Sequence, residues 1–149
     1  MTLSDAINAF SNAIATAEGF FVSGSRPQRN NNPGDLTVDT TGTGVGKDGP
    51  FIVYGSVADG WAALNKQVQL ILTDASNFYN SGMTLRDIAS IYTTTDQTSW
   101  AQTVANTLGI SLDVPVSTLL TDAVVESTGI GVGVLLFFVA LWFMTKKKG

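Results

Sequence analysis

The chain has 149 residues, twelve acidic and eight basic side chains, and neither histidine nor cysteine. This excludes Ser-His-Asp and Cys-His catalysis, which need an imidazole, and argues against a catalytic zinc site, whose ligands nearly always include His. Residues 1–126 hold all twelve acids against five basic groups, a net charge of −7, so this part offers no electrostatic footprint for a nucleic-acid backbone.

The first ten residues, MTLSDAINAF, lack a basic region followed by an apolar core, so no signal peptide is expected. Leu3, Ile7, Phe10, Ile14 and Ala17 recur at spacings of three and four, which predicts an amphipathic helix. Ser4 is its expected N-cap, Asp5 suits its first turn and Gly19 its stop. Glu18 then falls in the last turn of that helix.

The position is an unfavourable one for a carboxylate. A helix C-terminus carries partial negative charge, and Phe20 and Phe21 follow to desolvate the group. Both effects raise a carboxyl pKa, as a general acid working near neutral pH requires. The competing reading is a solvated helix-end acid. Behind Glu18 the stretch RPQRNNNPGDL places Arg29, the amides Asn30, Asn31 and Asn32, and a Pro33-Gly34 turn. Amides suit sugar hydroxyls and N-acetyl groups, and an arginine suits a carboxylate. The same residues also make an ordinary polar turn.

Extended segments are predicted around Leu36 to Asp39 and Pro50 to Tyr54, joined by the Gly-rich loop DTTGTGVGKDG into an irregular β-hairpin. Ser56 with Asp59 resembles a capping box. It opens a long helix carrying Val57, Trp61, Leu64, Val68, Ile71 and Leu72 and running to about Phe78. Thr84 with Asp87 opens another, with Leu85, Ile88 and Tyr92. A further helix is expected from about Ser99 to Leu108, stopped by Gly109, and a last one near Val116.

From Gly129 to Met144 no residue is charged, Trp142 sits near the end, and Lys146, Lys147 and Lys148 follow. The run is at the short end of the roughly 17–25 residues that span a bilayer, and the flanking Trp and Lys suit an interface. A buried core helix is the alternative. The expected organisation is a domain over residues 1–122, a transmembrane helix over 123–145 and a basic tail over 146–149. The fold class expected for the domain is α+β, mainly α, with a small β-hairpin after the first helix.

The helix ending in AEGF, the following PQRNNNPG, the hairpin and the segment FIVYGSVADGWAAL together resemble the lysozyme-like lytic transglycosylases of bacteriophages, especially those carried in virions. LRDIASIYTTTDQTSWAQTVANTLGISLDVPV is similar to the downstream part of that family, so the resemblance spans about residues 5 to 120. It implies a lysozyme-like fold, cleavage of the β-1,4 bond between N-acetylmuramic acid and N-acetylglucosamine, Glu18 as the catalytic acid, and Arg29, Asn31, Asn32 and Tyr92 near the glycan. No metal or cofactor is implied.

At Asp35 the family more often has Asn. An aspartate there is either a second carboxylate, as in a muramidase-type glycoside hydrolase, or a polar turn residue. The implied partners are peptidoglycan strands, a lipid bilayer and other virion proteins. The implied place is the internal membrane of a phage virion, with the C-terminal lysines facing the genome. Two non-enzymatic readings stand beside this one. A lysozyme-like structural or glycan-binding membrane protein would keep the fold without the chemistry. A holin-type permeabilising protein would share the apolar run and basic tail but leave the large folded domain unexplained.

Overall fold

The computed structural model describes residues 1–120; the expected membrane segment at 123–145 and the tail at 146–149 lie outside them. No helix among the described residues is long and apolar enough to cross a membrane. The architecture is mixed α+β, mainly helical, with a small two-stranded antiparallel hairpin.

Helix α1 spans Leu3–Ala17. Its N-cap is Thr2 rather than Ser4, because the Thr2 hydroxyl is the oxygen that accepts from the Asp5 amide. Leu3 is partly exposed and Ile7 half-buried, whereas Ala6, Phe10, Ala13, Ile14 and Ala15 are fully buried. The buried surface is therefore broader than the apolar stripe, since α1 packs against helices on two sides. The alanines let those helices approach closely. Glu18 is the C-cap, and Gly19 follows at φ 75°, the left-handed conformation that ends a helix at glycine.

A short helix, α2 (Arg26–Arg29), was not expected from the sequence. Ser25 caps it by accepting from the Gln28 amide, and Pro27 tolerates the first turn because it has no N–H to satisfy. The hairpin comes after it. Strand β1 is Gly44–Asp48 and β2 is Phe51–Tyr54, paired from Gly44↔Tyr54 to Asp48↔Phe51.

The expected first strand at Leu36 to Asp39 is thus displaced into the Gly-rich stretch. Two contacts explain this. Leu36 does dock beside β2, its carbonyl accepting from the Ile52 amide at 2.8 Å, but the pairing stops there. Asp39 then gathers the amides of Thr41, Gly42 and Gly44 on its carboxylate and turns the chain. The tight turn falls at Gly49-Pro50, between the paired Asp48 and Phe51, with Gly49 at φ 59°, a conformation glycine adopts without steric cost.

Helix α3 (Val57–Leu72) is capped by Ser56, which accepts from the Asp59 amide. It ends six residues before the expected Phe78: Thr73 is the C-cap and Asp74 turns left-handed at φ 57°. Helix α4 (Leu85–Tyr92) has the reciprocal capping box of Thr84 and Asp87. Helix α5 (Gln97–Leu108) begins two residues before Ser99 and stops at Gly109, φ 69°. A 3₁₀ turn at Val116–Leu120 closes the described chain. The start of this turn is pinned to the segment before α4 by Val116 N–H to the Met83 carbonyl, 2.9 Å, and Ser117 N–H to the Ser81 carbonyl, 2.8 Å. α1 contacts both α3 and α5, and α4 lies on α5. That packing brings the end of α1 beside α5 and the end of α4.

Candidate active site

The loop from Asn30 to Leu36 is built as a rigid wall. The Asn32 side chain is fully buried; its amide donates to the carbonyls of Leu36 and Ile52, each at 2.9 Å, and its oxygen accepts from the Leu36 amide at 2.8 Å. The Asn31 amide donates to the Tyr54 carbonyl at 3.0 Å, and the Asn30 carbonyl accepts from the Tyr54 amide at 2.9 Å. Asn31 and Asp35 adopt left-handed conformations, φ 52° and 47°, which Asn and Asp tolerate better than most residues. Gly60 on α3 makes this possible. A Cβ there would lie 1.7 Å from the Asn31 carbonyl oxygen.

These contacts show how the side chains expected near a glycan are held. Asn32 has no polar atom left for a glycan: it ties the loop to β2. Asn31, half-buried, gives one amide hydrogen to the Tyr54 carbonyl. Arg29 is exposed, donates to the Gly24 carbonyl at 2.5 Å and is not among the residues lining the neighbouring cleft.

That cleft has a volume of about 690 Å³ and lies between the loop wall, β2, the end of α3 and the end of α4. This is in the usual range for a small-molecule pocket. Glu18, Arg26, Asp35, Phe51, Phe78 and Tyr92 are among its lining residues. Glu18 is half-buried, and the Trp100 indole N–H donates to its Oε1 at 2.7 Å. Trp100 is buried and stacks on Tyr92, centroids 5.0 Å apart. The Tyr92 hydroxyl donates to the Gly34 carbonyl at 2.7 Å, joining the indole and the loop wall through one ring.

The Glu18 carboxyl is pushed up from 4.5 to about 7. Burial is the main cause. The Trp100 hydrogen bond opposes it, the charge of Asp35 adds to it and Arg26 offsets part of that. The expected desolvation by Phe20 and Phe21 takes another form. Both rings pack on Trp61, at 5.7 and 6.4 Å, and Phe21 stays exposed. In protonated Glu18 the carbonyl oxygen is the better acceptor, so the indole N–H at Oε1 favours the acidic proton on Oε2.

Asp35 was left open in the sequence as a second carboxylate or a turn residue. It occupies a turn, and it lines the cleft as a carboxylate. Both of its oxygens are taken by Arg26: Nε donates to Oδ1 at 3.1 Å and Nη2 to Oδ2. The guanidinium carbon lies 3.4 Å from the centroid of the Phe51 ring, a close cation–π contact. Arg26, Phe51 and Trp100 were not singled out in the sequence. Trp100 had no local signal there, since its partner is 82 residues away. Among the described residues no group of three or more His, Cys, Asp or Glu is placed to hold a metal ion. Comparisons with protein-family models, with curated proteins and with solved structures return no match.

Proposed function

We propose that the protein is a lytic transglycosylase with a lysozyme-like domain, cleaving the glycan strands of peptidoglycan with Glu18 as its single acid. One observation carries the reading: Glu18 lines a cleft with its pKa near 7 and one oxygen fixed by Trp100. An acid poised near the working pH, in reach of a bound substrate, is what general acid catalysis requires. The sequence resemblance supplies the substrate class and the product.

Protonated Glu18 gives its proton to the oxygen bridging N-acetylmuramic acid and N-acetylglucosamine. The muramoyl acetamido oxygen bonds to the anomeric carbon as the bridge breaks. Glu18, now a carboxylate, takes the proton of the C6 hydroxyl, whose oxygen bonds to the anomeric carbon as the acetamido oxygen leaves it, giving a 1,6-anhydro end. Tyr92 and Phe78 offer ring faces to the sugars in the cleft. The acidic main domain has no role in binding nucleic acid. We further infer that residues 123–145 anchor it in the internal membrane of a phage virion among other virion proteins, with the lysines facing the genome. The enzyme would then open the wall for genome delivery or for escape. Mass analysis of muropeptides released by the protein tests the chemistry: anhydro ends support it, and intact glycan strands refute it.

A further inference from the structure

The cleft holds a second carboxylate that this chemistry does not use. Asp35 lines the same cavity as Glu18, and a second carboxylate near the acid is what glycoside hydrolases use to attack the sugar or to activate water. It is not free to do either. Its side chain is 5% exposed while that of Arg26 is 43% exposed, and Arg26 grips both of its oxygens. Neither partner can easily turn away. Asp35 sits in a left-handed turn between Asn32 and Leu36, which hydrogen-bond each other, and Arg26 is held across its face by Phe51. Two-point pairing is the form of arginine–carboxylate contact that lysine cannot reproduce.

We propose that Arg26 is the residue that sets the product: by occupying both oxygens of Asp35 it withholds a general base from water, so the sugar's own C6 hydroxyl ends the reaction. The proposal rests on the reading of Glu18 as the acid. In either outcome Glu18 protonates the bridging oxygen, the glycosidic bond breaks and the acetamido oxygen holds the anomeric carbon. With Arg26 present, the C6 oxygen bonds to that carbon, its proton passes to the Glu18 carboxylate and the acetamido bond breaks. With Asp35 released, a water oxygen bonds there instead, its proton passes to Asp35, and the same acetamido bond breaks. The product is then a reducing end, heavier by one water, and no other reactant is consumed.

The test uses the full-length chain on purified peptidoglycan in heavy-oxygen water, with released muropeptides read by mass. Wild type should give anhydro ends. Arg26→Gln should give label-bearing reducing ends as a large fraction of products, since a positioned base accelerates such a step by ~10²–10⁴-fold. The double variant Arg26→Gln with Asp35→Asn should return to anhydro ends. The product ratio is read per cleavage, so it does not depend on how much protein is folded. Arg26→Lys, which keeps the charge but loses the two-point grip, repeats the test if the unpaired buried Asp35 prevents the Gln variant from folding. Anhydro ends alone from the active variants would overturn the proposal, as would equal reducing ends with and without Asp35. Loss of all cleavage in both would overturn it too, since Arg26 would then serve cleavage itself. If wild type cleaves without forming anhydro ends, it is the transglycosylase reading that fails, and this proposal falls with it.

Discussion

Replacing Glu18 by Gln separates function from stability in a way the site makes quantitative. The Glu18 carboxyl is raised from 4.5 to about 7, and each unit is worth ~1.4 kcal/mol. A folded-state value above the unfolded one means that the contribution to stability is fully present below 4.5 and is lost as pH rises through about 7. By then the ionised group costs the fold about 3 kcal/mol. Gln cannot ionise, and its oxygen can still accept from Trp100. The variant should therefore match wild type in urea denaturation near pH 4 and exceed it near pH 8 by up to about 3 kcal/mol. Its rate of muropeptide release should fall by ~10²–10⁴-fold. Near-wild-type turnover would refute the catalytic role. A stability difference that is the same at both pH values would refute the burial argument.

The alkaline limb of wild-type activity should fall about tenfold per pH unit above the Glu18 pKa, and Trp100→Phe should move that limb upward, because it removes a hydrogen bond that favours the charged form; a limb that stays in place means that the indole does not govern the acid. Gly60→Ala forces a Cβ against the Asn31 carbonyl, so its urea midpoint should drop by the equivalent of ~3 kcal/mol or more; an unchanged midpoint would show that the loop wall yields. Truncation before Gly129 should give a soluble, active protein that no longer sediments with lipid vesicles, whereas continued sedimentation would place the lipid contact in the main domain.

What could be read from the sequence was local. Gly19, Ser56, the Thr84–Asp87 box and Gly109 each act within one turn of chain, and all four cap or stop a helix as their chemistry suggests. The place of Glu18 at the end of α1 was legible for the same reason, but its raised pKa comes mainly from burial, which depends on the tertiary packing. The Asn run was ambiguous because Asn is equally good at holding sugars and at holding backbone. Only the position of β2 decides between them, and β2 begins 19 residues after Asn32. Strand β1 was missed because glycine has little intrinsic preference for strands. It pairs because Phe51–Tyr54 presents backbone for it to pair with.

The hidden part of the site has a common physical cause. A raised carboxyl pKa needs burial, but a buried acid also needs a partner to hold its geometry. Glu18 cannot find one on its own helix, whose last turn carries no basic residue. The partner comes from α5, which packs on α1 and delivers a neutral donor, the Trp100 indole, rather than a cation. That choice matters. A lysine or arginine in the same place would pull the pKa down and leave Glu18 ionised at neutral pH. The one arginine lining the cleft is kept from doing so by being spent on Asp35: its attraction for Glu18 is the smallest of the four influences there, and Asp35 opposes it. An acid with an indole partner, beside a second carboxylate neutralised by its own guanidinium, is a consistent way to keep one proton available in a site with two acidic side chains.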